Sequence, residues 1–150
     1  MDVDSCIRYC FRQSREPLPE KPKRDHHIKL VLFDMDGVLV DSISSWKHIH
    51  TFFSTNNDHS VDAYVKGLIT DEEFIRQDVS QWKKDNEFIF LEELHDIFSS
   101  LSLMDGARTC VNCLKKNGVM LGIVSAGIDL LANQVASELG ITMVYANQLK

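Results

Sequence analysis

The chain has 150 residues, of which 44% are hydrophobic, and carries a formal net charge of −6. This length suits one domain, or one domain with an inserted subdomain, and the apolar fraction suffices for a core. The acidic balance argues against a nucleic-acid binder. No run approaches the roughly 18 apolar residues of a membrane span, and the N-terminus lacks the apolar stretch of a signal peptide. We therefore expect a cytoplasmic protein with no membrane or nucleic-acid partner.

Residues 1–27 are interpreted as an N-terminal extension and linker. All three prolines of the chain, Pro17, Pro19 and Pro22, fall here among charged residues and disfavour regular structure. A mobile tail is the favoured interpretation, and a docking arm is the alternative.

The first predicted strand is the apolar run from Ile28 to Phe33, whose pattern suits a strand that is buried on both faces of a parallel sheet. Asp34 and Asp36 follow it directly, and Gly37 lets the chain turn without a Cβ clash. Ligands of open α/β sheets bind at the edge where the strands end. Both carboxylates are therefore expected at the edge of the sheet where a ligand would bind.

Four helices are predicted next, at about 42–54, at 61–69, after Thr70 and around Leu94, and we interpret their apolar stripes as core. Thr70 begins a capping box with an acidic first turn. An α/β pattern then returns, with a helix at 106–117, a strand at 119–124, a helix at 128–139 and a short strand at 142–144. The helical segment 42–103 thus interrupts a core made of 28–41 and 104–150.

Four cysteines occur in two close pairs, Cys6 with Cys10 and Cys110 with Cys113. We interpret them as buried or idle thiols. A zinc site built on the C-x-x-C pair is an alternative, and intracellular disulfides are expected less still.

Three segments carry a family resemblance. Residues 34–42 read D-M-D-G-V-L-V-D-S, residues 119–127 read V-M-L-G-I-V-S-A-G, and residues 145–149 read Y-A-N-Q-L. Their order and position resemble the haloacid dehalogenase (HAD) superfamily, in its phosphoserine phosphatase-like branch. The resemblance implies a Rossmann-like α/β core with a parallel sheet and an inserted helical cap of the C1 type. It also implies a Mg²⁺-dependent hydrolase that cleaves a small phosphomonoester through an aspartyl-phosphate.

The resemblance assigns roles to individual residues. Asp34 would be the nucleophile and Asp36 the general acid and base. Mg²⁺ would bind the carboxylate of Asp34 and the backbone carbonyl of Asp36. Ser125 and the N–H groups of Ala126 and Gly127, at a helix N-terminus, would bind phosphate oxygens. Ser125 as a simple helix cap is the alternative.

The chain also departs from the family pattern. The family needs a later lysine and one or two later acids, whose positions would fall beyond Lys150, so the core is expected to be truncated. Phosphoserine phosphatases resemble this chain but carry a cap Glu where Ile43 stands. Their cap Arg aligns with Asp78, which leaves Arg76 as the candidate substrate-binding residue. Lys115 and Lys116 lie on the polar side of a helix and are not expected to replace the lysine.

Two alternatives to the phosphatase remain open. A catalytically incomplete HAD-like chain would bind a phosphorylated ligand or a protein without turnover. A phosphomutase would keep the same acids and return the phosphoryl group to a sugar hydroxyl. A short sheet with an exposed edge would also favour a homo-oligomer.

Overall fold

The computed structural model describes residues 28–84 and 87–149. The predicted extension at 1–27 lies outside these residues. The chain divides into two compact units, one formed by the described residues of 28–41 and 102–149 and the other by those of 42–101. We call them the α/β unit and the helical unit.

Helices and strands follow one another along the chain in this order: β1 (Leu30–Phe33), α1 (Ser45–Phe52), α2 (Asp58–Val65), α3 (Asp71–Ser80), β2 (Lys83–Lys84), β3 (Glu87–Phe88), α4 (Leu91–Phe98), α5 (Ala107–Lys116), β4 (Met120–Ile128), α6 (Asp129–Leu139) and β5 (Met143–Asn147). Within 28–84 and 87–149, no helix is both long and apolar enough to cross a bilayer.

A parallel sheet organises the α/β unit, with the strand order β1-β4-β5 among the described residues. Phe33 pairs with Ile123, and Gly122 pairs with Met143. Parallel strands need right-handed crossovers, which place α5 and α6 on the same face of this sheet. Ile123 of β4 and Leu131 of α6 are buried and belong to the core of this unit. The α/β architecture with a parallel sheet is therefore confirmed.

The prediction that β1 is buried on both faces is wrong. Leu30 is 41% exposed and Leu32 is 51% exposed, since the two helices cover only the opposite face. Met120 and Tyr145 are exposed on the same side of the sheet. Gly122 of β4 lies on this side too. Neighbouring side chains approach its backbone so closely that a Cβ there would lie 2.8 Å from Cδ2 of Leu32, which explains why the residue is a glycine. Half of the apolar side chains of β1 therefore lie on a face of the sheet that no described residue covers.

The helical unit is built by caps and apolar stripes. The predicted capping box is confirmed, since Thr70 accepts from the backbone N–H of Glu73 and Glu73 accepts from that of Thr70. Ile49, Trp82 and Phe98 are almost fully buried and form part of the core. The short antiparallel pair β2–β3 was not predicted, because two-residue strands carry too little periodicity.

The second predicted helix, at 61–69, has different bounds. Helix α2 begins at Asp58 because the side chain of Asn56 accepts from the Asp58 N–H at 2.7 Å and folds the chain into a turn there. It ends at Val65, and the chain then passes through Gly67, whose φ of +68° is left-handed.

The interpretation of the cysteines as buried or idle thiols is wrong about the thiol state of the two that are described, although Cys110 is buried. Cys110 and Cys113 lie on α5, and both take part in disulfide bonds. Disulfide sulfurs are not thiolates, so in this state they cannot be the zinc ligands of the alternative interpretation. The pair Cys6 and Cys10 lies outside the described residues.

Candidate active site

Asp34 and Asp36 lie in a tight loop that follows β1. The carbonyl of Met35 accepts from the N–H groups of Leu39, at 2.9 Å, and Val40, at 3.0 Å. Gly37 has a φ of +71°, a left-handed conformation that glycine adopts most easily. Met35 is fully buried, whereas Asp34 is exposed and Asp36 is half-buried. The buried methionine thus anchors the loop, and the two carboxylates flank it.

The Asp34 carboxylate is oriented by its own loop. Its Oδ1 accepts from the backbone N–H of Met35 at 2.7 Å. This bond holds one carboxylate oxygen against the chain. The exposure of Asp34 leaves the side chain accessible from solvent.

Ser125, Ala126 and Gly127 form a bulge, which we call the β4 loop. Val124 pairs with Tyr145 and Ile128 pairs with Asn147, so three residues of β4 lie opposite the single residue 146 of β5. The N–H of Gly127 donates to Oγ of Ser125 at 3.0 Å. A bulge of this kind redirects the chain at the end of a strand.

The predicted end of this strand at Val124 is therefore wrong. Strand β4 resumes and reaches Ile128, and α6 begins only at Asp129. Ile128 is fully buried, and this burial accounts for the return of the chain to the sheet after the loop. The β4 loop thus belongs to the strand, not to the first turn of the helix.

The sheet brings the two loops to one edge. Strands β1 and β4 are adjacent and parallel, and Phe33 is in register with Ile123. Asp34 follows directly after Phe33, and Ser125 lies two residues after Ile123. This carboxyl edge is where ligands of open α/β sheets bind. The structure therefore assembles the predicted carboxylates and the predicted phosphate-binding residues at one edge.

The carboxylate of Asp34 and the backbone carbonyl of Asp36 would provide oxygen ligands, which are the ligands that Mg²⁺ prefers. Within residues 28–84 and 87–149, no three His, Cys, Asp or Glu side chains come together as a metal site. Mg²⁺ commonly keeps several waters and takes one or two carboxylates from the protein. Asp34 and Asp36 fit this partial role.

Lys115 is engaged elsewhere in the α/β unit. Its Nζ donates to the carbonyls of Leu139, at 3.0 Å, and Gly140, at 2.6 Å. The ammonium thus caps the C-terminus of α6, where the helix dipole favours a cation. This contact agrees with the expectation that Lys115 does not replace the family lysine.

The candidate substrate residue Arg76 lies on α3 of the helical unit. It is exposed, and its Nη2 donates to Oε1 of Glu72 at 2.8 Å. Asp78, which aligns with the cap arginine of phosphoserine phosphatases, is fully buried. Ile43, at the position of their cap glutamate, is 88% exposed. The helical unit therefore does not present that branch's two substrate determinants at these positions.

Sequence reasoning missed Asn147. Its Nδ2 donates to the carbonyl of Ala126 at 2.7 Å and so connects the end of β5 to the β4 loop. The available signal was an amide close to the end of a short strand, in the segment Y-A-N-Q-L. Only the register of β4 and β5 shows what that amide touches.

Comparisons with known proteins agree with this geometry. Residues 28–149 match the family of haloacid dehalogenase-like hydrolases. The chain is 26% identical over 129 residues to a phosphoserine phosphatase of Methanocaldococcus jannaschii, covering 81% of this chain and 56% of the relative. It is 28% identical over 130 residues to a phosphoserine phosphatase of Idiomarina loihiensis, covering 83% and 56%.

A solved structure has the same fold. It is a phosphoserine phosphatase described as a phospho-aspartyl intermediate analogue, and it matches with a TM-score of 0.65 at 24% identity. The match covers 83% of this chain and 58% of that one. The chain thus spans a little over half the length of these relatives.

Proposed function

Because the chain belongs to the haloacid dehalogenase-like hydrolase family, we propose that it carries the nucleophile of a phosphatase that hydrolyses a small phosphomonoester. One observation carries the proposal: the Asp34 loop and the β4 loop leave adjacent parallel strands at the same edge of the sheet. A nucleophile and a set of phosphate-binding groups are the parts that phosphoryl transfer requires together.

The proposed reaction has two steps. The Asp34 carboxylate attacks phosphorus and forms an aspartyl-phosphate, while Asp36 gives its proton to the departing alkoxide. Asp36 then takes a proton from water, the water oxygen attacks phosphorus, and orthophosphate leaves with the Asp34 carboxylate restored. The Ser125 hydroxyl and the N–H groups of the β4 loop bind the phosphate oxygens during both steps.

Asp34 and Asp36 are the residues that would hold Mg²⁺. When bound, the ion supplies positive charge that offsets the repulsion between an anionic carboxylate and an anionic phosphate. The partial ligand set in the described residues is consistent with an ion that keeps waters.

We propose a small phosphorylated substrate without naming phosphoserine. Ile43 and Asp78 stand where phosphoserine phosphatases place a glutamate and an arginine, and Asp78 is buried. Arg76 is the proposed contact for an anionic group of the substrate, which would take the place of Glu72 on the guanidinium. Residues 42–101 hold eleven acids and five bases, a net charge of −6, which disfavours a strongly anionic substrate.

A catalytically incomplete, ligand-binding chain is the second candidate. The observation that favours it is the lack of a third metal-binding side chain near Asp34 among the described residues. A phosphomutase keeps the same acids and differs only in the acceptor of the phosphoryl group. We propose that the protein is cytoplasmic, whichever of these functions it has. We also propose that it associates with itself through the free edge of the sheet.

The test is hydrolysis of an aryl phosphate by the 150-residue chain, with and without Mg²⁺. The proposal expects Mg²⁺-dependent release of orthophosphate that Asp34→Asn abolishes. Asp41→Asn is the matched control, since Asp41 is an exposed carboxylate in the same segment whose backbone N–H makes the structural contact to Ser102. Orthophosphate binding without turnover would select the binding protein instead.

A further inference from the structure

The β4 loop lacks the regular ladder that fixes a strand. Between the pairs Val124–Tyr145 and Ile128–Asn147, three residues of β4 face one residue of β5. Ladder hydrogen bonds normally hold each peptide group of a strand in one orientation. A bulge interrupts them, so the peptide groups of this loop depend on other contacts.

Asn147 supplies such a contact from outside the loop. Its Nδ2 donates to the carbonyl of Ala126 at 2.7 Å, a short and well-formed distance. Asn147 is the last residue of β5, and Ile128, its partner across the ladder, is fully buried. The amide therefore acts from a position that the sheet itself holds in place.

The planarity of the peptide bond carries the effect of this contact across the loop. In a trans peptide, the carbonyl of Ala126 and the N–H of Gly127 point in opposite directions from one rigid plane. Fixing the carbonyl towards Asn147 also fixes the direction of the Gly127 N–H. That N–H donates to Oγ of Ser125, so the hydroxyl is oriented by the same plane.

We infer that Asn147 is a positioning residue, which sets the Ala126–Gly127 peptide and, through the Gly127 N–H, orients the Ser125 hydroxyl that binds an anion. This inference rests on the proposed function, since it assigns phosphate to the β4 loop. Glycine permits many backbone conformations, so the Asn147 contact is an effective restraint on the peptide next to Gly127. Asn147 does not touch phosphate itself.

The donor is the essential property of the Asn147 side chain. Asn147→Asp keeps the shape but replaces the amide donor with an acceptor, which repels the carbonyl of Ala126. The matched control is Asn117→Asp. Asn117 makes the same kind of bond, from Nδ2 to the carbonyl of Cys113 at 2.8 Å, but it does so at the end of α5.

The experiment follows the Gly127 amide by NMR while orthophosphate is added to the wild-type chain and to the two variants. Hydrogen bonds to charged groups suggest that Asn147→Asp raises the dissociation constant of orthophosphate by roughly ten- to a hundredfold. The Gly127 resonance moves, and its amide hydrogen exchanges faster, before any phosphate is present. Asn117→Asp leaves both the resonance and the affinity unchanged.

The inference is overturned if Asn147→Asp binds orthophosphate as tightly as the wild type, or if Asn117→Asp weakens binding equally. Both results leave the wild-type response intact and the proposed function standing. A wild-type Gly127 amide that ignores orthophosphate overturns the proposed phosphate site, and this inference with it. Asn147→Ala removes the donor without adding charge, and it repeats the test if the aspartate variant fails to fold.

Discussion

Asp78 and His50 lie in contact inside the helical unit, with Nε2 of His50 3.3 Å from Oδ2 of Asp78. The two atoms lie within ion-pair distance, but the contact does not have the geometry of a hydrogen bond. Asn57 donates to Asp78 at 2.8 Å and Ser60 donates to it at 3.0 Å. Thr55 lies within hydrogen-bonding distance of His50, at 2.7 Å. A buried polar network therefore joins α1, α2 and α3.

Removal of Asp78 should destabilise the chain strongly. Asp78→Ala leaves the amide donor of Asn57 without its acceptor and removes one of the two acceptors of the Ser60 hydroxyl. It also leaves the buried His50 without its carboxylate neighbour, so we expect the free energy of unfolding to fall by about 3 kcal/mol. Asp62→Ala is the control, because Asp62 pairs with Lys66 on the exposed face of α2 and should change it by less than about 1 kcal/mol. Urea unfolding measures both. Equal losses in the two variants would contradict a structural role for the network.

The capping box of α3 should give the stability a pH dependence. The pKa of Glu73 lies below its ordinary value of 4.5, first because the carboxylate accepts from the backbone N–H of Thr70 and then because it accepts from the Thr70 hydroxyl. A lowered folded-state pKa means that this stabilisation is present above 4.5 and is lost as the pH falls through the lowered value.

Glu73→Gln should therefore lower the unfolding free energy at neutral pH and lose that difference in acid. The measurement is urea unfolding at neutral pH and at several values below 4.5. Glu72→Gln is the matched control, since Glu72 is on the same helical turn and contacts Arg76 instead of the Thr70 backbone. A Glu73→Gln deficit that persists unchanged in acid would refute the assignment.

The role of Asp36 as general acid can be distinguished from that of Asp34 as nucleophile by varying the leaving group of the substrate. A general acid contributes typically 10²–10⁴-fold, and its effect is greatest for a poor leaving group. Asp36→Asn should therefore lower the rate of the first step far more for an alkyl phosphate than for an aryl phosphate. Asp34→Asn should stop both, because the nucleophile is lost. Burst and steady-state release of the alcohol measure the first step, and equal slowing of both substrates would exclude the role of acid.

The side of the sheet that no described residue covers, together with the free edge of the sheet, should promote self-association. Leu32 is 51% exposed and Tyr145 is 65% exposed, and strand β1 has a free edge among the described residues. We expect the chain to associate with itself as its concentration rises, and the double variant Leu32→Glu, Tyr145→Glu to reduce this association.

Sedimentation velocity over a range of concentrations provides the measurement. Val65→Glu serves as the control, since Val65 is 77% exposed on the helical unit and belongs to no sheet. A wild-type chain that stays monomeric at every concentration, or a control that dissociates it equally, would refute self-association through the sheet.

Part of the candidate site was predictable because it is local. A strand that ends in D-x-D-G predicts two carboxylates and a turn, and the structure has both. Thr70 and Glu73 form their capping box through contacts three residues apart, which a sequence window contains. The β4 loop was placed at the right residues, but its bulge was not predicted, because a bulge depends on the partner strand β5.

The α/β pattern, the helical insertion and the carboxylates Asp34 and Asp36 follow from periodicity and from neighbouring residues, so they can be predicted from short stretches of the chain. The contact of Asn147 with the β4 loop and the burial of Asp78 against His50 are visible only once the chain is folded. The same is true of the exposed face of β1. Each of these depends on residues far apart in the chain, and packing, not local propensity, selects which of them meet.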